Sequence, residues 1–250
     1  MPLFRLSEKI EFPPPWLARS DGLLCIGGDL CTKRLLLAYQ NGIFPWFSDN
    51  EPILWWSPDP RLVLFPGSLR ISRSLKKKIK KVPFRITMDN AFEQTIVSCS
   101  KPRGSGEHGT WLVDEMIYAY IKLHEIGYAH SVEIWHQDRL VGGLYGVCVG
   151  GSFFGESMFS FETDTSKIAL VALAHHLTFH GFDLIDCQVT TDHLLKMGAV
   201  EISRDSFLKK IKNSVARKMD SNIWNPKQSL YPFPLKAKNN EIIYPLSKVH

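Results

Sequence analysis

No stretch of eighteen apolar residues occurs in this 250-residue chain, so no helix of it should cross a membrane. The opening segment MPLFRLSEKIEFPPPW has no apolar core of the kind a secretory signal carries, and a cytoplasmic place is expected. Cysteine is sparse: Cys25, Cys31, Cys99, Cys148 and Cys187 are irregularly spaced and form no C-x-x-C pair. That pattern argues for reduced thiols and against a disulfide frame or a zinc site. His176 and His180 stand four apart in HHLTFH, but no Glu follows His176 and no third ligand is evident. Packed or solvated histidines are therefore expected, and no metal. The glycine turn in CIGGDL lacks the spacing of a phosphate loop. Internal repeats are absent as well.

What is present is an ordinary globular composition, 44% hydrophobic, in a chain long enough for one large domain or a small one beside a medium one. A net charge of +5 and a pI near 8.9 favour an anionic partner without demanding one. Three of the seven tryptophans crowd into GIFPWFSDNEPILWWSP, where Pro45, Pro52 and Pro58 forbid a continuous helix. Trp55 and Trp56 sit in an apolar run and read as structural. Trp46, between Pro45 and Phe47 on a turn, is the better candidate for an exposed face, and Trp111, after the loop GSGEHGT, is a second.

The chain then divides by pattern. Residues 1–61 read as a small Trp- and Pro-rich domain with one helix, CTKRLLLAYQ, stopped at Asn41–Gly42. A short strand RLVLFP, a basic helix SRSLKKKIKKVP and a strand FRITMD follow, then a helix in TWLVDEMIYAYIKLHEIG. From Ala129 the alternation becomes that of a three-stranded meander with turns at Gln137–Asp138 and Gly150–Gly151. Next come a helix capped by Thr165 or Ser166, a buried strand LIDCQV, a short helix, a strand and a final helix. An antiparallel meander followed by a helix crossing to another strand is the order of an acetyltransferase-superfamily (GNAT-like) sheet. The expectation is an α+β domain over 62–217, with a loosely held tail over 218–250.

Strand LIDCQV puts Asp186 and Gln188 on one side, with Ile185, Cys187 and Val189 on the other. A carboxylate and a carboxamide inside an apolar strand are costly unless their polar groups are used, either by each other or by a substrate. Glu156, a lone acid in FFGESMF, is expected to share their pocket. Arg73, Lys76, Lys77, Lys78, Lys80 and Lys81 surround one helix, and no acid stands among them from Gly67 to Thr87. Either a solvated face or a phosphate partner explains them. Leu144, Phe153, Leu170, Leu173, Leu177 and Ile185 are the natural lining of a deep apolar pocket, or plain core.

GGDL, AYQNGIFPWFS, ILWWSPDPR, GTW, LVGGLYGV, GESMFS, LIDCQV and DH…MGA occur in that order over nearly the whole chain. Together they resemble the bacterial leucyl/phenylalanyl-tRNA–protein transferase family. The resemblance implies transfer of Leu or Phe, with Met a further candidate, from aminoacyl-tRNA to proteins that begin with Arg or Lys, marking them for degradation. It further implies that Asp186 and Gln188 are the catalytic pair, that Trp46 and Trp111 hold the terminal adenosine, and that the basic helix meets the acceptor stem. Asp186 would orient Gln188, whose carbonyl accepts from the attacking amine, while Asp186 and Glu156 complement the acceptor's cation. Leu144, Leu173 and Leu177 stand where the family often has Met or Phe, which leaves the Leu-versus-Phe preference open. No cofactor and a monomer are expected. Two other classes compete: a coenzyme A-dependent N-acetyltransferase and a noncatalytic RNA-binding module. The first needs a glycine-rich pyrophosphate turn where this chain reads SFETDTSKIA; the second leaves Asp186, Gln188 and Glu156 idle.

Overall fold

The structure, a computed structural model, describes residues 3–101 and 112–224, together with the backbone strands Ala237–Lys238 and Glu241–Ile242. The Pro- and Trp-rich region supplies β1 (Phe4–Leu6), β2 (Leu23–Gly27), helix α1 (Thr32–Gln40), β3 (Phe44–Pro45) and β4 (Leu54–Trp56). These strands form a small sheet in the order β1-β2-β4-β3. Gly42 takes a φ of 69°, the left-handed stop after α1.

The large sheet begins with β5 (Arg61–Leu64). Helix α2 (Arg73–Lys81) follows, capped by the Ser72 side chain, which accepts from the Leu75 N–H. Then come β6 (Arg85–Met88), α3 (Phe92–Cys99), α4 (Asp114–Glu125), β7 (Ala129–His136), β8 (Arg139–Val149), β9 (Ser152–Ser160), α5 (Thr165–Phe179), β10 (Leu184–Gln188), α6 (Asp192–Lys196), β11 (Val200–Ile202) and α7 (Arg204–Ser214). Seven strands lie in the order β11-β5-β10-β9-β8-β7-β6. The pair β9·β10 is parallel and every other neighbour is antiparallel. The meander β7-β8-β9 turns at Gln137–Asp138 and Gly150, all at positive φ. This is the expected α+β, GNAT-like architecture.

Each face of the large sheet buries its own core. On one face Tyr145, Val147 and Phe154 pack with α3, α4 and α1, and with Cys25 and Trp55 of the small sheet. The small and large sheets thus share one apolar interior. On the other face Leu144, Phe153 and Ile185 pack under α5, with Leu75 and Ile79 of α2. At roughly 25 cal/mol per Å² of apolar surface, burial on both faces is what holds so many short strands in register.

Three local features differ from the sequence reading. α3 went unread; it has no Ser, Thr, Asp or Asn at its N-cap, which is Ala91. α5 is preceded by Asp164 in a left-handed conformation, not capped by a hydroxyl; Thr165 Oγ1 instead donates to the Val141 and Glu162 carbonyls. The start of the C-terminal segment is held down: Trp224 is buried, stacked on His130 at 4.1 Å and tilted against Phe153 at 5.8 Å.

Candidate active site

β9 and β10 run side by side only where Ser152–Phe154 face Leu184–Asp186. Two irregularities then part them. In β9, Ser157 faces Tyr145 and Gly155 faces Gly146, so Glu156 is the extra residue of a bulge. A Cβ at Gly146 would collide with the Phe154 carbonyl and the Phe153 ring, so glycine is required opposite that bulge. In β10 the register against β5 shifts between Asp186 and Gln188, and Gln188 adopts a φ of 64°. A side chain other than Gly or Asn there marks local strain, which active sites commonly retain.

A cavity of about 990 Å³ lies at this parting and draws its walls from both cores. Leu144, Phe153, Leu170, Leu173 and Ile185 form an apolar wall from the α5 face. Tyr145 and Phe159 come from the opposite face. Glu156, Asp186 and Gln188 stand between them. The volume is at the upper end for a small-molecule pocket, room for more than one reacting group.

The polar groups form one chain. Arg61 donates from Nε and Nη2 to the two oxygens of Asp186, at 2.8 and 2.6 Å, with both side chains fully buried. The guanidinium is held between the rings of Phe44 (4.7 Å) and Phe207 (4.6 Å). Asp186 Oδ1 also accepts the Gln188 backbone N–H at 2.9 Å. Gln188 Nε2 donates to Glu156 Oε1 at 2.8 Å, and the Tyr120 hydroxyl donates to Glu156 Oε2 at 2.7 Å. The Tyr39 hydroxyl lies 2.6 Å from that of Tyr120, to which it must donate. Burial raises the Glu156 carboxyl from 4.5 to about 7, against the lowering effect of the tyrosine and glutamine bonds. Burial, then the Glu156 charge, pushes the Tyr39 and Tyr120 hydroxyls well above their ordinary value, so they remain neutral donors.

Chemically, the amide nitrogen of Gln188 is committed to Glu156, which leaves its carbonyl oxygen as the acceptor for an incoming N–H. Asp186, with both oxygens occupied, is poorly suited as a base; it fixes the strained turn that presents Gln188. Of the three acids that line the cavity, Asp186 is paired with Arg61 and Asp164 on the rim with Lys167 at 2.6 Å, and Glu156 has no cationic partner among the described residues.

Asp186, Gln188, Glu156, Leu144, Phe153, Leu170, Leu173 and Ile185 therefore meet at one cavity, while Leu177 is buried in the core beneath it. Cys187 packs on the α5 face with Ile185, as the alternation read from LIDCQV predicts, and both line the cavity beside Asp186 and Gln188, since its walls come from both faces. Trp46 is 42% exposed, its ring 5.7 Å from that of Trp56, and does not line the cavity. Trp111 lies outside the described residues. In α2, Leu75 and Ile79 are buried, and Arg73, Lys76, Lys77, Lys80 and Lys81 are exposed. Lys78 is tied to the cavity rim, donating to the Thr163 carbonyl and lying 3.9 Å from Asp164. The basic helix thus borders the mouth, and its charge is partly met by an acid far away in sequence. His176 is buried against Trp224 at 5.1 Å, and the described residues contain no group of three potential metal ligands. Arg61, Tyr39, Tyr120 and Tyr145 are the members that sequence reasoning missed.

The fold is of the α+β, GNAT-like class, with a cavity where two neighbouring strands part. A family model described as leucyl/phenylalanyl-tRNA protein transferase matches residues 63–212, and that family's N-terminal domain model matches residues 28–59. A leucyl/phenylalanyl-tRNA–protein transferase of Desulforapulum autotrophicum is 61% identical over 224 residues, covering 90% of this chain and 98% of that one. Its counterpart in Syntrophobacter fumaroxidans is 55% identical, with coverage of 90% and 96%. The chain belongs to the leucyl/phenylalanyl-tRNA–protein transferase family and is an aminoacyltransferase. Among solved structures, a GCN5-related N-acetyltransferase from Kribbella flavida aligns with a TM-score of 0.33 at 12% identity, over 66% of this chain and 58% of that one.

Proposed function

We propose that the cavity joins Leu, Phe or Met, carried as an ester on tRNA, to the α-amine of a protein that begins with Arg or Lys, a change that marks the acceptor for degradation. The observation that carries this reading is the parting of β9 and β10, with an apolar wall on one face and the Gln188–Glu156 pair beside it. The aminoacyl side chain rests against Leu144, Phe153, Leu170 and Leu173. Its ester carbonyl then lies near Gln188, and the acceptor amine is aimed at it by the Gln188 carbonyl oxygen. Asp186 holds that geometry, and Glu156 receives the acceptor's cationic side chain.

The donor is already an activated ester, so the step is downhill and requires no ATP. Attack forms the C–N bond, the C–O bond to the ribose breaks, and the ribose oxygen takes up a proton as the amine loses one. An α-amine with a pKa of about 7.7–8.0 is free in part at neutral pH, so no strong base is needed. Positioning alone can supply on the order of 7–11 kcal/mol. Trp46 and Trp111 offer ring faces for the terminal adenosine, and the outward cations of α2 offer contacts for the acceptor stem. A coenzyme A pyrophosphate fits poorly, since the turn before α5 carries Glu162 and Asp164 and no glycine. The experiment offers the protein labelled Leu-tRNA, Phe-tRNA or acetyl-CoA together with a peptide beginning with Arg. Label is expected to move from the tRNAs only. A folded Asp186→Ala protein is expected to turn over on the order of 100-fold more slowly with little change in tRNA affinity; loss of tRNA affinity in a protein shown to be folded would reject this role for Asp186.

A further inference from the structure

Trp224 closes the short helical turn Ser221–Trp224 that follows α7, and it is only 5% exposed. Four rings surround it: His130 stacked at 4.1 Å, His176 at 5.1 Å, Phe153 at 5.8 Å and Phe182 edge-on at 6.4 Å. The His130 ring is itself fixed, its Nδ1 2.6 Å from Asp89 Oδ2 and its Nε2 3.2 Å from the Gly127 carbonyl oxygen. A large, stiff indole in such a cage cannot shift without moving its neighbours.

Two of those neighbours tie the indole to the cavity. Phe153 of β9 lines it, and His176 stands on α5 three residues after Leu173, which lines it as well. Trp224 touches Phe153 without lining the cavity, so it stands behind the apolar wall. Leu144, Phe153, Leu170, Leu173 and Ile185, the members of that wall, are each at most 3% exposed. The recess between them therefore has little slack, and a bulky side chain enters only as far as the wall gives way. Phe153 is the largest of the five, and its room to retreat is taken up by the indole. We propose that Trp224 is a positioning residue: by bracing Phe153 it limits the depth of the recess and so sets the preference between Leu and Phe as the transferred residue. This rests on the donor reading given above.

Trp224→Leu tests it by emptying part of the space behind Phe153. With Leu-tRNA and Phe-tRNA competing for one Arg-starting peptide, the ratio of kcat/KM for Phe to that for Leu is expected to rise about 10-fold. The KM for the peptide should hold. Trp224→Phe keeps a smaller ring in the cage, serves if the leucine variant does not fold, and should raise the same ratio about 3-fold. In a protein that already carries Phe153→Leu there is no ring to brace, and adding Trp224→Phe should leave the ratio where it was. An unchanged ratio in either folded Trp224 variant overturns the proposal. So does an equal loss with both donors, which is what a merely structural role would produce. If the wild-type protein transfers neither Leu nor Phe, the donor reading itself falls, a result seen before any variant is made.

Discussion

Replacing Glu156 with glutamine removes one charge and almost no volume, and the structure sets the size of the effect. Burial lifts this carboxyl from 4.5 in the unfolded chain to about 7 in the folded one. Folding therefore takes up a proton between those values. The associated stability is complete below pH 4.5 and is lost as the pH rises through 7. At about 1.4 kcal/mol per pH unit the loss reaches at most about 3 kcal/mol. Urea unfolding of both proteins from pH 5 to pH 8 reads it directly: the wild-type protein should lose stability relative to Glu156→Gln across that range. Activity should follow the same group. On the proposed role of Glu156, acceptor binding should improve as it ionises, and kcat/KM for an Arg-starting peptide should rise through pH 7. Glu156→Gln should lose that inflection and keep only the one belonging to the α-amine. Parallel stability curves for the two proteins would refute the reasoning, because they would mean that this acid ionises as freely inside the fold as outside it.

Arg61→Met alone strands Asp186 in the interior and should cost about 3–5 kcal/mol in chemical unfolding, whereas Arg61→Met with Asp186→Leu should recover most of it. That double variant should still turn over poorly, since the Gln188 turn has lost its anchor. Trp46→Ala should raise the KM for Leu-tRNA by about 5- to 150-fold, the worth of roughly 1–3 kcal/mol of stacking, with a small effect on the melting temperature. For tRNA binding, the slope of log affinity against log salt is expected near −4 for about five phosphate contacts. Lys76, Lys77, Lys80 and Lys81 changed together to Ala should bring it toward about −1, while Lys78, already bound to the rim, should matter less.

How much of this could be read from the chain alone depended on how local each signal was. The meander was legible because alternation over β7, β8 and β9 is bracketed by positive-φ turns at Gln137–Asp138 and Gly150. The apolar wall followed from helical spacing in α5. Asp186, Gln188 and Glu156 stood out as polar residues in apolar strands. Arg61 did not, because it opens an ordinary strand and its partner lies 125 positions away. Tyr39 and Tyr120 look like any amphipathic helix residue until their hydroxyls are seen to meet. The bulge at Glu156 and the left-handed Gln188 leave no trace in a period of two. α3 was missed for want of a capping residue at Ala91.

A sheet that opens between two of its own strands has a kinetic consequence. Ester and amine can be held together, one against each side of the opening, and no residue has to carry the aminoacyl group from one to the other. Initial-rate plots at several fixed levels of the second reactant should therefore intersect instead of running parallel, and the protein mixed with Leu-tRNA alone should retain no covalently attached leucine.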